Sequence, residues 1–395
     1  MANTNTIVIC AAMRTPIGHY LGGLQAVPAP QLGGYAIQAA ISAGQINPHL
    51  IDQVIMGCVL TAGQRQAPAR QAAFHAGLSD NIPCTTINKM CGSGLASIMQ
   101  AHDHLACERN TVVVAGGMEN MSQAPYLSPA TRQGARLGTT MLLDHLMHDG
   151  LEDAYNEHQP MGHFAETCAS EFNLSRETQD TYTIESIRRA QHATDSQLFS
   201  NEITPIKIQQ RRKTLDIIHD EGLQHVNLEK ITSLKPAFRH EGTVTAANAS
   251  NLSDGAAAVV MMREPTALDH GHTPLAYIRA ITTQAQAPEQ FTTAPIGAIQ
   301  QLLDQLNWTI DSVDCFEINE AFAVVPLAAM QALNIPRDKV NVHGGACVLG
   351  HPIGASGTRI VTTLIHALHA RKQRRGIATA CIGGGEAIAI AIETP

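Results

Sequence analysis

Val112-Val113-Val114-Ala115-Gly116-Gly117-Met118-Glu119 and Thr379-Ala380-Cys381-Ile382-Gly383-Gly384-Gly385-Glu386 share one pattern, an apolar run of strand length that ends in Gly-Gly-x-Glu. Such a run, bounded by glycine, suits a strand buried on both faces. The same reading covers 6–12, 54–59, 111–117, 256–262 and 377–382. Helical patterns lie between them, at 32–43, 67–76, 94–106, 298–306 and 357–370. Strand followed by helix, repeatedly, predicts an α/β protein. Upstream of each copy of the pattern an asparagine opens what reads as a helix, Asn88 before Cys91-Gly92-Ser93-Gly94 and Asn319 before Glu320-Ala321-Phe322. Two related halves facing each other account for this. Chance likeness between glycine-rich strand ends accounts for it equally well from these residues alone.

With 395 residues the chain exceeds one ordinary hydrophobic core, so two or three domains or a repeated unit are expected. Hydrophobic residues make up 44% and aromatics only 4%, which suits close strand and helix packing and argues against base stacking. The net charge of -8, with Arg371-Lys372-Gln373-Arg374-Arg375 as a solvated helix end, makes nucleic acid a poor partner. Nine cysteines without a C-x-x-C pair indicate neither a disulfide framework nor a metal site, and reduced thiols point to a cytoplasmic protein. Residues 1–9 lack the basic segment and apolar core of a secretion signal. The apolar run 377–392 is broken by glycines and Glu386 and is too short for a membrane span, so no membrane association is expected.

Residues 121–250 differ in character, being polar, rich in proline and carrying a long helical pattern from Arg176 to His192. They read as an insertion. Within it, 134–150 is either an arm that pairs with a neighbouring subunit or a plain surface excursion.

Cys91 precedes an apolar helical stretch, where a helix dipole and free backbone N–H groups stabilise a thiolate, and its own N–H is placed to hold an oxyanion. A lone cysteine is, however, more often a small buried hydrophobe. His351, in Gly350-His351-Pro352-Ile353-Gly354, is a base in a turn stiffened by proline. Cys381 lies at the carboxyl end of a buried strand, where α/β sites form, with an ordinary pKa of about 8.5 that suits proton transfer after tuning. It is equally a small residue packed under a glycine turn. Asn319 offers a polar side chain at a strand-to-helix turn or a helix cap, and Ser250 either bonds a ligand amide or ends a loop.

In this order, residues 88–94, 242–250, 319–322, 350–357 and 381–386 together resemble the thiolase family, most closely its biosynthetic branch of acetyl-CoA acetyltransferases. The resemblance spans nearly the whole chain. It implies two similar βαβαβαββ halves stacked as α-β-α-β-α layers, formed by 1–120 plus 251–272 and by 273–395, with 121–250 as an inserted loop domain. It implies a ping-pong condensation of two acetyl-CoA molecules to acetoacetyl-CoA and CoA, and the reverse thiolysis. Cys91 is then the acyl nucleophile, His351 its base and an oxyanion donor, and Cys381 the acid and base on the α-carbon. Asn319 holds an oxyanion-binding water, and the Gly383 N–H serves the second oxyanion. Leu151, Met161, Phe238, Ser250, Phe322 and Phe291 line the pantetheine tunnel by the same resemblance. CoA thioesters are substrates, no cofactor is permanently bound, and a homotetramer is expected.

The sequence departs from the family pattern in three places. His158 stands two positions from the usual histidine, with Pro160 before Met161; Phe291 replaces a methionine; and Leu223 marks where a basic residue is often found near the CoA adenine. The alternatives are a 3-ketoacyl-CoA thiolase acting on longer chains and, from another class, an inactive acyl-CoA or lipid-binding protein of the same fold. A ketoacyl synthase is disfavoured by the cysteine at 381.

Overall fold

Val112 and Val114 pack into one apolar cluster and Val113 and Ala115 into another, and all are fully buried because helices cover both faces of their strand. The computed structural model of the protein describes residues 6–210 and 213–395. The first half runs β1 (Ile7–Arg14), α1 (Ala29–Ala43), β2 (Gln53–Gly57), α2 (Pro68–His75), β3 (Cys84–Ile87), α3 (Ser93–Ala106) and β4 (Val112–Asn120). The chain then leaves the sheet for a long excursion that contains α4 (Met161–Glu171) and α5 (Arg176–Asp195), and returns as β5 (Ser253–Arg263). The second half comprises β6 (Ala276–Ala285), α6 (Ala294–Leu306), β7 (Cys315–Ile318), α7 (Val324–Leu333), α8 (Ile353–Arg371), β8 (Arg375–Ile382) and β9 (Glu386–Glu393). No helix among the described residues is long and apolar enough to cross a membrane.

The main sheet follows the order β7-β8-β9-β6-β1-β5-β4-β2-β3. On one outer face α1 packs Leu32 and Ile37 against Val54 and Met56 of β2; on the other, α6 packs Ile299 and Leu302 against Ala387 and Ala389 of β9. Between the halves, Leu95 and Ile98 of α3 and Ile360 and Leu364 of α8 pack against Val113, Ile388 and Ile390. The layers are therefore helix, sheet, helix, sheet, helix. β9 sorts its side chains by size, alanines toward α6 and isoleucines toward the central helices. Each isoleucine so buried contributes about 1.5–3 kcal/mol.

Two features differ from an ideal pair of stacked repeats. The half-sheets meet at an edge, because β1 pairs with β6 at Val8↔Tyr277 and Ile9↔Ala276, which makes one continuous path. The second half also lacks the counterpart of β3. Only an isolated parallel bridge, Phe316↔Val340, stands there, because the Asn341 amide takes over the ladder: Oδ1 accepts from Ile318 N–H at 2.8 Å and Nδ2 donates to Ile318 O at 2.9 Å.

The continuous apolar runs all became strands. β3, β6 and β9 lie outside those runs; β3 is half-buried along its length and β6 alternates between buried and more exposed positions, so neither needs an unbroken apolar sequence. Asn319 opens no helix, since α7 starts at Val324 with Ala323 at its cap, and α3 starts at Ser93 with Gly92 at its cap. The expected helix in the insertion is α5. Residues 134–150 begin in an extended excursion closed by a short pair of strands, Tyr126–Leu127 with Leu143–Asp144, and Leu137, Met141 and Leu142 are strongly exposed on it.

The excursion is bound to the body by buried charge. Arg14 of β1 donates to Glu202 at 2.6 Å and to both carboxylate oxygens of Asp220 at 2.7 and 2.9 Å, and Tyr182 and Ser186 of α5 donate to Glu320. An unpaired charge at such depth is costly, so the Arg14 pairs hold the excursion to the first half while the Glu320 contacts hold it to the second.

Candidate active site

The axis of the site is the contact between the two central helices. A Cβ on Gly94 would stand 2.5 Å from Thr358 N, and one on Gly357 would stand 2.3 Å from Leu95 N. Only hydrogen fits at either position, so the first turns of α3 and α8 touch. The loops that precede those turns carry Cys91 and His351, which is how motifs so far apart in sequence come together.

The Cys91 loop is held in an uncommon conformation. Met90 has φ +47°, a left-handed geometry that costs a non-glycine residue about 1 kcal/mol or more. Local bonds maintain it: Asn88 Oδ1 accepts from Met90 N–H at 3.0 Å, and Ser93 Oγ accepts from Lys89 N–H and donates to Met90 O. Gly92 rests against Ile382 of β8, where a Cβ would lie 2.3 Å from Ile382 Cδ1. The backbone N–H groups of Gly383 and of Cys91 itself pull the Cys91 thiol down, yet burial dominates and, with Glu119 nearby, pushes its pKa up to about 11. The helix terminus alone therefore does not make Cys91 a thiolate in the ligand-free site.

Cys381 is fully buried, next to the end of β8, paired across the hairpin with Ala387 of β9. Burial and then Cys91 hold its thiol well above the ordinary value. Gly92 and Ile382, the neighbours of the two cysteines, pack against each other, and Cys91 is among the groups that raise the Cys381 thiol. Beyond the hairpin turn, Glu386 forms an ion pair with Lys89.

His351 is 6% exposed, with its N–H on Asn251 O at 3.0 Å. Its Nδ1 lies 2.6 Å from Ser356 Oγ, while Ser356 Oγ donates to Pro352 O at 3.0 Å. A hydroxyl has one proton to give, so the network assigns the imidazole proton to Nδ1 and leaves a lone pair on Nε2. Nε2 is buried and has no partner. Burial, reinforced by the nearby Arg359 guanidinium, pulls the His351 pKa down to about 3, so the ring is neutral and able to accept a proton. Asn319 donates its backbone N–H to Thr379 O, and its side-chain amide stands 3.4 Å from His351 Nδ1, where the proton on Nδ1 calls for the amide oxygen to face the ring.

A cavity of about 410 Å³ opens onto His351. Leu151, Met161, Phe238, Ser250 and Phe322, which the resemblance assigns to a pantetheine tunnel, line it. Met161 N–H bonds Leu151 O at 2.9 Å, Ser250 N–H bonds Ala321 O at 2.9 Å, and the Phe238 and Phe322 rings meet edge to face at 5.9 Å. Phe291 does not line it. That ring is 3% exposed in the core of the second half, edge-on to Phe164 and Phe322, one layer behind the cavity wall. Pro160 does line the cavity, while His158 is exposed at φ +62°. A second cavity of about 260 Å³ shares His19, Ala246 and Asn251 with the first and carries His225 and Lys230.

Several contributors escaped the sequence reading. Ser356 and Glu119 stand inside quoted motifs but were not singled out, since only contacts reveal them. Tyr20, Met121 and Met147 complete the cavity wall from segments that carry no motif.

Residues 7–265 match the family described as thiolase, N-terminal domain, and residues 272–394 match thiolase, C-terminal domain. The chain belongs to the thiolase family. This thiolase is 44% identical to the acetyl-CoA acetyltransferase of Cupriavidus necator over 98% of its own length and 99% of the relative's. It is 44% identical to acetyl-CoA acetyltransferase 1 of Arabidopsis thaliana, over 98% and 94%. Among solved structures, human mitochondrial 3-ketoacyl-CoA thiolase superposes with a TM-score of 0.95 at 37% identity, covering 99% of each chain. The Acat5 thiolase of Ascaris suum, solved in complex with coenzyme A, gives 0.93 at 38% identity over 99% and 100%. Family and fold make this protein an acyltransferase.

Proposed function

We propose that this thiolase is an acetyl-CoA C-acetyltransferase, which condenses two acetyl-CoA molecules to acetoacetyl-CoA and CoA through an acetyl-Cys91 intermediate and runs the reverse thiolysis. What supports the chemistry is that the Cys91 and His351 loops lead into helices that touch at Gly94 and Gly357, that Cys91 bears on the Cys381 thiol, and that His351 keeps a buried, unpartnered Nε2 beside an apolar cavity. The acetyl preference rests on the relatives' names.

At rest both thiols are protonated and His351 is neutral. Cys91 sulfur attacks the thioester carbonyl as its proton passes to His351 Nε2, so the two charges arise together and stabilise each other. The N–H groups of Cys91 and Gly383 receive the developing oxyanion. The C–S bond to CoA breaks, and Cys381 gives the departing thiolate its proton. Cys381 is then the thiolate that removes an α-proton from the second acetyl-CoA. Its enolate oxygen is met by His351 Nε2–H and by a water held at Asn319. The α-carbon attacks the acetyl-Cys91 carbonyl, the C–S bond breaks, and the Cys91 sulfur recovers its proton from His351. Proton count and charge close over the cycle.

Leu151, Met161, Phe238, Ser250 and Phe322 suit a pantetheine arm, apolar along its length with one polar contact. In the adjoining cavity, Lys230 offers the phosphates a positive charge that Leu223 does not. We assign 1–120 with 251–272 and 273–395 to the two halves and 121–250 to the loop domain, whose exposed Leu137, Met141 and Leu142 suit contacts within a homotetramer. Cytoplasmic location and the absence of a permanent cofactor go with this reading.

Mixing the protein with acetyl-CoA and mapping peptides by mass tests it, with one added acetyl group expected on the Cys91 peptide. Binding without that adduct would favour an inactive acyl-CoA carrier. The likeness to human 3-ketoacyl-CoA thiolase supports a second reading, degradation of longer chains. Thiolysis rates with acetoacetyl-CoA against longer 3-ketoacyl-CoAs separate the two.

A further inference from the structure

The glutamates that close the two Gly-Gly-x-Glu motifs touch no reacting atom in the proposed cycle, yet each crosses from its own half to the other. Glu119, fully buried at the end of β4, accepts from Gly354 N–H at 2.9 Å, in the first turn of α8 and three positions after His351. The same carboxylate accepts from Val59 N–H at 3.0 Å and Leu60 N–H at 3.1 Å, and so anchors the α8 terminus to the first half. In the opposite direction Glu386, at the start of β9, ion-pairs with Lys89, two positions before Cys91. One copy of the repeat therefore holds the histidine loop of the second half, and the other holds the cysteine loop of the first.

We propose that Glu119 and Glu386 are a reciprocal pair of positioning residues that set Cys91 and His351 against each other across the boundary between the halves. The proposal rests on the reading of Cys91 as nucleophile and His351 as its base. Either loop, left to its own half, would be placed by a contact that ignores the other's position. A crossed pair makes the separation of the loops a property of both halves together. Negative charge at Glu119 also suits the N-terminus of the long helix α8, where N–H groups lack helical partners. Burial lifts the Glu119 pKa to about 7 against the pull of those N–H groups and of the Cys58 thiol, and its charge helps keep Cys91 a thiol until His351 takes the proton.

Two readouts on the full-length protein test this: the rate of Cys91 acetylation by acetyl-CoA, and the pH profile of Cys91 alkylation by iodoacetamide, each located by peptide mass. Lys89 and Glu386 are partly exposed, so their variants should fold. Lys89→Glu is expected to slow acetylation by about threefold and to move alkylation to higher pH, and adding Glu386→Lys should restore both. A single variant with wild-type behaviour, or a double variant no better than the single, overturns the proposal. Glu119→Gln leaves one of three backbone N–H groups facing an amide N–H, and acetylation should fall about tenfold. With the charge gone, alkylation should move to lower pH, whereas a merely structural role leaves that profile in place; an unmoved profile overturns the assignment of Glu119. If Glu119→Gln does not fold, the exchanged pair decides. Should acetyl-CoA label nothing in the unaltered protein, the functional reading fails, while the alkylation profiles still report on the crossed contacts.

Discussion

Ser356 Oγ stands 2.6 Å from His351 Nδ1 and gives its only proton to the Pro352 carbonyl. The serine therefore fixes which ring nitrogen can receive the Cys91 proton. Ser356→Ala removes the acceptor for Nδ1–H at little change in volume, and the ring is freed to adopt the other tautomer. The expected result is a fall of about tenfold in kcat for acetoacetyl-CoA thiolysis with little change in KM, the mark of an interaction needed only in the transition state. An unchanged kcat would show that something else orients the imidazole.

Cys381→Ala should separate the two half-reactions. Cys91, His351 and the Gly383 N–H remain, so acetyl-CoA still labels Cys91, while no group is left to take the α-proton. Mass analysis should find the acetyl adduct, and a condensation assay should find no acetoacetyl-CoA. Retained condensation would remove Cys381 from the mechanism.

The Cys91 thiol, raised to about 11, also fixes a direction with pH. Its thiolate fraction in the free protein increases about tenfold per pH unit below that value. Alkylation by iodoacetamide should thus keep rising from pH 7 to pH 10 without a plateau. A plateau near neutrality would mean a preformed thiolate and imidazolium pair.

Gly357→Ala places a methyl where Leu95 N stands only 2.3 Å away. The first turns of α3 and α8 must separate, which loosens the central layer and parts the Cys91 and His351 loops. We expect a loss of about 1–3 kcal/mol in stability, read as a lower thermal midpoint, together with lost acetylation. Ala370→Ser, exposed in the last turn of the same helix, is the control for helix stability.

Leu137, Met141 and Leu142 are large apolar side chains in solvent, an arrangement that marks an interaction surface. Replacing all three with serine should reduce the assembled mass measured by light scattering and leave the thermal midpoint of the remaining particle nearly unchanged. A wild-type mass in that variant would show that the arm takes no part in assembly.

Much of the fold was legible because strands buried on both faces must be apolar along their whole length, and 54–59, 111–117, 256–262 and 377–382 are. β6 escaped because one of its faces is partly solvated, and the missing third strand of the second half escaped because an asparagine side chain does the work of a ladder. Within the candidate site, glycine-rich settings singled out Cys91, His351 and Cys381 as candidates, since close approach of another group requires missing side chains, and the family resemblance gave them roles. Phe291 lies behind the cavity wall and not on it, because a likeness of motifs does not say which side of a wall a ring occupies.

Local composition by itself determined the α/β class and the glycine-thinned turns, and it marked two cysteines and a histidine beside those turns as candidates, because periodicity and residue size act within one element. Only the tertiary structure decided their electrical state and their partners. Burial outweighs the helix terminus at Cys91, a serine assigns the histidine tautomer, and the glutamates of the repeat reach into opposite halves. Each of these depends on the distance between segments remote in sequence, and that distance is set by how closely α3 and α8 pack.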